Sequence, residues 1–166
     1  QKALNFGAFV EEWEGTHQDI LGLMQNTQLD RFVMFRAWNG KLVPRWTTAF
    51  FQLRIGEQEP VSYVHFELDT DYVSRLKEIS IRNVISFAVA DLPDSEIKKV
   101  YELEGVKHVV WAHIMSEEIQ GSDTVAHTYC SFATHEDIPI DQNLTTRCSI
   151  LAGRLKGIAG SFNQNQ

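Results

Sequence analysis

Residues 29–40 read LDRFVMFRAWNG, and the alternation in this stretch decides what can be built around it. Phe32, Met34, Arg36 and Trp38 fall on one side of an extended chain; Arg31, Val33, Phe35 and Ala37 fall on the other. Asn39-Gly40 ends the strand with the strongest turn signal in the sequence, because both residue types tolerate positive φ. Residues 45–55 (RWTTAFFQLRI) then read as the partner strand. The intervening Lys41-Leu42-Val43-Pro44 makes the connection longer than a two-residue hairpin and leaves the register open.

Outward from this hairpin, strands and helices alternate. Residues 61–68 (VSYVHFEL) form a short extended segment, and Asp69 is placed to cap a helix over 70–79. Residues 82–90 (RNVISFAVA) are almost continuously apolar, the pattern of a buried central strand. Pro93-Asp94-Ser95-Glu96 opens a helix carrying Ile97, Val100, Tyr101 and Leu103, and Gly105 closes it. Residues 106–115 and 124–134 form two further strands, paired antiparallel around Gly121-Ser122-Asp123.

Two long amphipathic helices frame this core. Phe6, Phe9, Trp13, Thr16, Ile20 and Leu23 recur at steps of three and four, as do Leu144, Cys148, Leu151, Leu155, Ile158 and Phe162. Pro139 and Asp141 start the second helix, and Gly153 and Gly157 would let something pack close to its backbone. The expected fold is α+β, a central antiparallel sheet of five to six strands with long N- and C-terminal helices packed on it. The expected domain is a single unit over 1–166: a helix over about 5–25, a sheet with inserted helices over 29–134, and a helix over 140–162. The two apolar stripes would meet either a second chain or their own sheet, and three turns of pattern do not separate these.

Composition excludes several function classes. With 22 acidic against 15 basic residues the net charge is −7, which opposes nucleic-acid binding and anionic membrane surfaces. No apolar run reaches the length of a membrane span, and Glu11, Glu12 and Glu14 interrupt any signal-peptide core. The start at Gln1 rather than Met leaves an upstream anchor or effector domain as an expectation. Cys130 and Cys148 are too few for a disulfide scaffold and read as small buried hydrophobes in a reducing cytoplasm.

The order of elements, with Asp30-Arg31-Phe32-Val33-Met34-Phe35 and Asn39-Gly40 at its head, resembles the GAF domain, a relative of the PAS fold. In one group of GAF-like proteins an aspartate-arginine pair follows the first helix; that group often has histidine where Trp38 stands here. The resemblance implies a non-enzymatic sensory or regulatory module, cytoplasmic, that binds a small molecule and dimerises through its terminal helices. The alternative is a structural or assembly subunit using the same scaffold without ligand. By this likeness the ligand would lie between residues 58–79 and the sheet, against Tyr63, His65, Phe66, Tyr72 and Phe87. The plainer reading of these aromatics is that they close the core. The dimer interface would use Phe6, Phe9, Trp13, Ile20, Leu151, Leu155 and Ile158. No bilin-attachment cysteine stands in the ligand region, no Asn-Lys-Phe-Asp-Glu sequence of cyclic-nucleotide binders occurs, and the cofactor is left unnamed.

Catalytic chemistry is hard to assemble. His108 and His113, five apart on one strand, face opposite sides, so a metal site would need His108 and His127 as cross-strand neighbours with His65 from the loop. Ser62, Ser86, Ser116 and Ser131 are hydroxyls without a G-x-S-x-G elbow, and no phosphate-binding glycine loop occurs. Cys130 and His127, three apart on a strand, fall on opposite faces. Arg31, Arg36, Trp38, Arg45 and Trp46 form a basic-aromatic cluster along the first hairpin, suited to an anion or to ordinary surface pairing. No catalytic residue and no compact metal motif is assigned.

Overall fold

The computed structural model describes residues 6–39, 46–56, 64–67, 69–118, 120–121 and 125–164. The Gly40 turn and residues 41–45 lie outside it, as does Tyr63. Side chains of Phe6, Phe9, Trp46, His65 and Phe66 are likewise outside the described set, although their backbones belong to regular elements.

The elements are α1 (Phe6–Gln25), β1 (Arg31–Asn39), β2 (Trp46–Arg54), β3 (Val64–Glu67), α2 (Thr70–Arg82), β4 (Val84–Ala88), α3 (Glu96–Leu103), β5 (His108–Glu118), β6 (Val125–Thr134) and α4 (Gln142–Gln164), with one 3-10 turn at Val89–Asp91. The strands form a six-stranded antiparallel sheet in the order β3-β2-β1-β6-β5-β4. Helices cover both faces. Val33, Phe35 and Ala37 look toward α2 and α3 with Tyr72, Leu76, Ile97, Tyr101, Trp111 and Tyr129. Phe32 and Met34 look toward α1 and α4 with Ile20, Leu23, Val110, Cys130, Leu144, Cys148 and Leu155. The alternation read in β1 therefore divides two cores.

Local chemistry sets the helix starts. The Asp69 carboxylate accepts the Tyr72 N–H (2.9 Å) and also the Glu96 N–H (3.1 Å), so one side chain ties the start of α2 to the start of α3. Ser95 caps α3 and Asp141 caps α4 in the same way. Gly105, at φ +72°, makes the turn out of α3 that a side chain would strain.

Four expectations are corrected. Residues 84–88 form an edge strand: β4 pairs only with β5, and Ser86 is exposed on it. Ile85 is buried and its apolar neighbours are half-buried, covered by α2 and α4 rather than flanked by strands on both sides. Leu103 lies at the outer end of α3 and is exposed. Gly153 and Gly157 have nothing within 4 Å of where a Cβ would stand, so no neighbour exploits them. Each costs about 1 kcal/mol of helix propensity. Burial of Leu144, Cys148, Leu151 and Leu155 outweighs this at roughly 1.5–3 kcal/mol for each leucine. Finally, Ile20, Leu151 and Leu155 are buried within the chain, in the layer between α1, α4 and the sheet, Ile158 is buried as well, and none of the four is presented to a partner.

Three register shifts interrupt the described sheet, one of them between β2 and β3 at Thr47 and Thr48, and the other two reshape the surface. In β2, Met34 pairs with Phe51 and Phe35 with Ala49, which leaves Phe50 as the extra residue. In β5, His113 pairs with Tyr129 and Met115 with Thr128, so Ile114 is extra. Ile114 and Met115 consequently both pack toward α1 and α4.

Candidate functional site

The face under α2 and α3 is where the resemblance places a ligand, and its described residues pack ring against ring. Trp111 lies 5.0 Å from Tyr72, 5.2 Å from Tyr129 and 5.4 Å from Phe87 between ring centroids. Tyr129 also stacks on Phe35 at 5.1 Å. Tyr72, Trp111 and Tyr129 are at most 1% exposed, so this cluster is a sealed core. The Trp111 indole N–H donates to the Tyr101 hydroxyl (2.9 Å), which in turn lies 3.3 Å from Ser131 Oγ. Burial pushes the Tyr101 phenol up to about 12, partly offset by its hydrogen bonds to Ser131 and Trp111. Burial raises the Tyr129 phenol as well, partly offset by Thr47.

Of the predicted ligand residues, Tyr72 is sealed in this cluster and Phe87 stands at its rim, half-buried, with the Arg75 guanidinium 4.9 Å over its ring. Phe87 also borders open space. A cleft of about 310 Å³ along the free edge of β4 is lined by Ser86, Phe87, Asp91, His108 and Pro139. A second, of about 240 Å³, continues past Ser86 to Arg75, Glu78, Arg82, Gln142 and Thr145. Both carry polar side chains along their walls.

The histidines separate by role. His108 Nε2 is 2.9 Å from Asp137 Oδ1. His135 Nδ1 is 2.7 Å from Asp30 Oδ2, and its Nε2 donates to Glu104 O (2.9 Å) when that nitrogen carries the proton. His17 stacks beside Trp13 and Phe51 under α1. His108 and His127 are not neighbours, because His108 pairs with Thr134 and His127 with Ser116, so the cross-strand pairing that a metal site with His65 would need does not occur. The bulge at Ile114 instead leaves His113 and Ser116 on one face, three residues apart. There Ser116 Oγ is 2.8 Å from His113 Nε2 and 2.8 Å from His127 Nδ1. Burial lowers the pKa of both rings, and His127 and Lys156 lower that of His113 further. Sequence reasoning missed this trio because regular alternation puts residues three apart on opposite faces.

Cys130 faces α4 with Cys148, away from His127, as expected of a buried hydrophobe. Ser62 lies outside the described residues; Ser131 is buried beside Tyr101. The basic-aromatic cluster divides. Arg31 is buried against Glu104, with Arg54 3.6 Å from the same carboxylate. Arg36 remains at the surface, its guanidinium 5.5 Å over Trp38 and paired with Glu117. Arg36, Trp38, Phe50 and Thr128 line a shallow cleft of about 320 Å³ on the α1 side of the sheet. Arg45 lies outside the described residues. Among the described residues no cluster of three or more His, Cys, Asp or Glu is arranged to hold a metal, and no helix is long and apolar enough to cross a membrane.

No protein-family model and no curated protein matches the chain. Solved structures do. The GAF domain of a two-component sensor histidine kinase from Bacillus halodurans superposes with a TM-score of 0.61 at 12% identity, over 92% of this chain and 97% of that one. The phycoerythrobilin-bound GAF domain of a cyanobacterial phytochrome superposes with a TM-score of 0.59 at 13% identity, over 99% and 100%. At such identity the likeness is one of architecture, and it spans nearly the whole length of both relatives. With its six-stranded antiparallel sheet, paired terminal helices on one face and two shorter helices on the other, this chain has the GAF fold.

Proposed function

We propose that the chain is a non-enzymatic sensory or regulatory module whose terminal helices pass its state to flanking segments or to a second copy. The observation that carries this reading is the layout of the two faces. α1 and α4 lie side by side on one face, share a core and are bridged by Arg154 and Asp19. The aromatic cluster occupies the other face, and both rest on the same strands: Trp111 packs under α2 while its neighbours Val110 and Ala112 hold the terminal helices. Close-packed interiors transmit strain, so repacking around Trp111 would be felt by α1 and α4.

In this reading the input is a small molecule taken at the rim of the aromatic cluster, where Phe87 meets the β4-edge clefts. A homodimer would use the outward side of the helices, around the exposed Ile150. The sealed state of Tyr72, Trp111 and Tyr129 favours a second reading, an assembly scaffold that takes no ligand.

A thermal-shift screen of the chain against nucleotides, flavins, tetrapyrroles and amino acids separates the two. A ligand at a hundred times its Kd stabilises by about 2.7 kcal/mol, a rise of about 5–10 °C for a domain of this size. A rise that disappears in Phe87→Ala supports the sensor; no rise with any compound supports the scaffold. Light scattering tests the dimer: Ile150→Arg should convert a dimer to a monomer, and a monomeric wild-type chain would remove the dimer from the proposal.

A further inference from the structure

We propose that His113, Ser116 and His127 form a binding site for a divalent transition metal of the zinc or copper(II) type. The site is separate from the β4-edge clefts and from the aromatic cluster. His113 Nε2 and His127 Nδ1, on adjacent antiparallel strands, converge on a single oxygen, Ser116 Oγ, at 2.8 Å each. The two nitrogens therefore cannot lie further apart than twice that contact. Tetrahedral zinc, with Zn–N of about 2.0–2.1 Å, needs them about 3.3 Å apart. The ring centroids are 6.3 Å apart, and side-chain rotation on the two strands would bring the nitrogens to that separation.

A hydroxyl carries one hydrogen, so Ser116 can donate to only one ring, and the other ring must supply an N–H. A metal ion accepts the lone pairs of both rings at once and leaves Ser116 Oγ beside it as an oxygen ligand or as a partner of a bound water. Among the described histidines this pair alone aims two ring nitrogens at one point. His108 and His135 are each engaged by a carboxylate, from Asp137 and Asp30. The bulge at Ile114 creates the convergence by bringing His113 and Ser116 to the same face. Ser116 is exposed and both rings are half-buried, so an ion can enter from solvent and keep open positions for water. Imidazole nitrogens with few oxygen donors suit zinc, copper(II) or nickel over magnesium or calcium.

The test uses the chain freed of metal with a chelator and titrated with zinc chloride by calorimetry. One zinc per chain is expected. His113→Ala and His127→Ala should each weaken binding at least tenfold, Ser116→Ala less, and His108→Gln not at all. Imidazole nitrogen NMR of the unaltered chain gives a second readout that needs no substitution: zinc should move the signals of His113 Nε2 and His127 Nδ1 and leave those of His135 in place. Equal binding by wild type and the His113→Ala/His127→Ala double variant overturns the proposal. So does the absence of binding to the wild-type chain, or a zinc response confined to other histidines.

Discussion

Arg31 and Glu104 form an ion pair in which each side chain is 2% exposed, joining the first residue of β1 to the turn that follows α3. Arg54, at the end of β2, reaches the same carboxylate, and His135 at the end of β6 bonds the Glu104 carbonyl. Three elements thus meet at one buried carboxylate, and a fourth joins through the same residue's backbone carbonyl. Removing one member of a buried pair leaves a charge without its partner, at a cost of about 3–5 kcal/mol. Glu104→Gln and Arg31→Met should each lower the melting temperature by about 6 °C or more. The double variant Arg31→Met/Glu104→Leu should recover part of that loss, as the coupling term of a double-mutant cycle will show.

Tyr101 is the acceptor for the Trp111 indole N–H and is itself fully buried. Tyr101→Phe keeps the ring and deletes the acceptor, so the expected loss is about 1–3 kcal/mol in urea denaturation. Tyr101 also sets an alkaline limit. Its folded pKa of about 12 lies above the ordinary value of 10, so the fold holds the neutral phenol. That contribution is complete below pH 10 and is lost as the pH rises toward 12. Stability measured across this range should fall less steeply in Tyr101→Phe than in the wild type.

His113 and His127 behave in the opposite sense at acid pH. Burial disfavours their charged forms and depresses both folded pKa values below the ordinary 6.5, with the neighbouring ring adding to the shift at His113. The stability they support is complete above pH 6.5 and is lost as the pH falls through the folded values. Proton NMR titration should give both imidazoles midpoints below 6.5. His127→Gln should bring the His113 midpoint back toward it.

Cys130 and Cys148 sit in the layer between the sheet and α4. Burial pushes the Cys148 thiol up to about 12 and raises Cys130 as well, with the nearby Cys148 adding to the second shift. Since the thiolate is the reactive form, a disulfide reagent should label neither in the folded chain at pH 8, and both in denaturant.

Much of the fold was legible one segment at a time. The alternation of Phe32 and Met34 against Val33, Phe35 and Ala37 assigns each residue its core, because side chains of a strand point to opposite faces whatever lies around them. The cap at Asp69 was equally readable, and so were the helix starts around Ser95 and Asp141, since a cap needs only a carboxylate or hydroxyl next to the first free N–H groups. The six antiparallel strands, the two shorter helices and the terminal helices all follow from such local patterns.

Tertiary structure decided the rest, and in each case through pairing between distant segments. Residues 84–88 carry the apolar run of a central strand yet sit at the edge, because two helices bury them where strands were expected. The stripes of α1 and α4 could have met a second chain; the sheet beneath them claims Ile20, Leu151 and Leu155. The extra residues Phe50 and Ile114 become bulges only against particular partners on β1 and β6. One of those bulges carries His113 to the side of Ser116 and His127, a convergence that no spacing along the chain displays. Sequence by itself determined which faces are apolar and where helices begin; cross-strand register, a property of two segments at once, determined which polar groups meet.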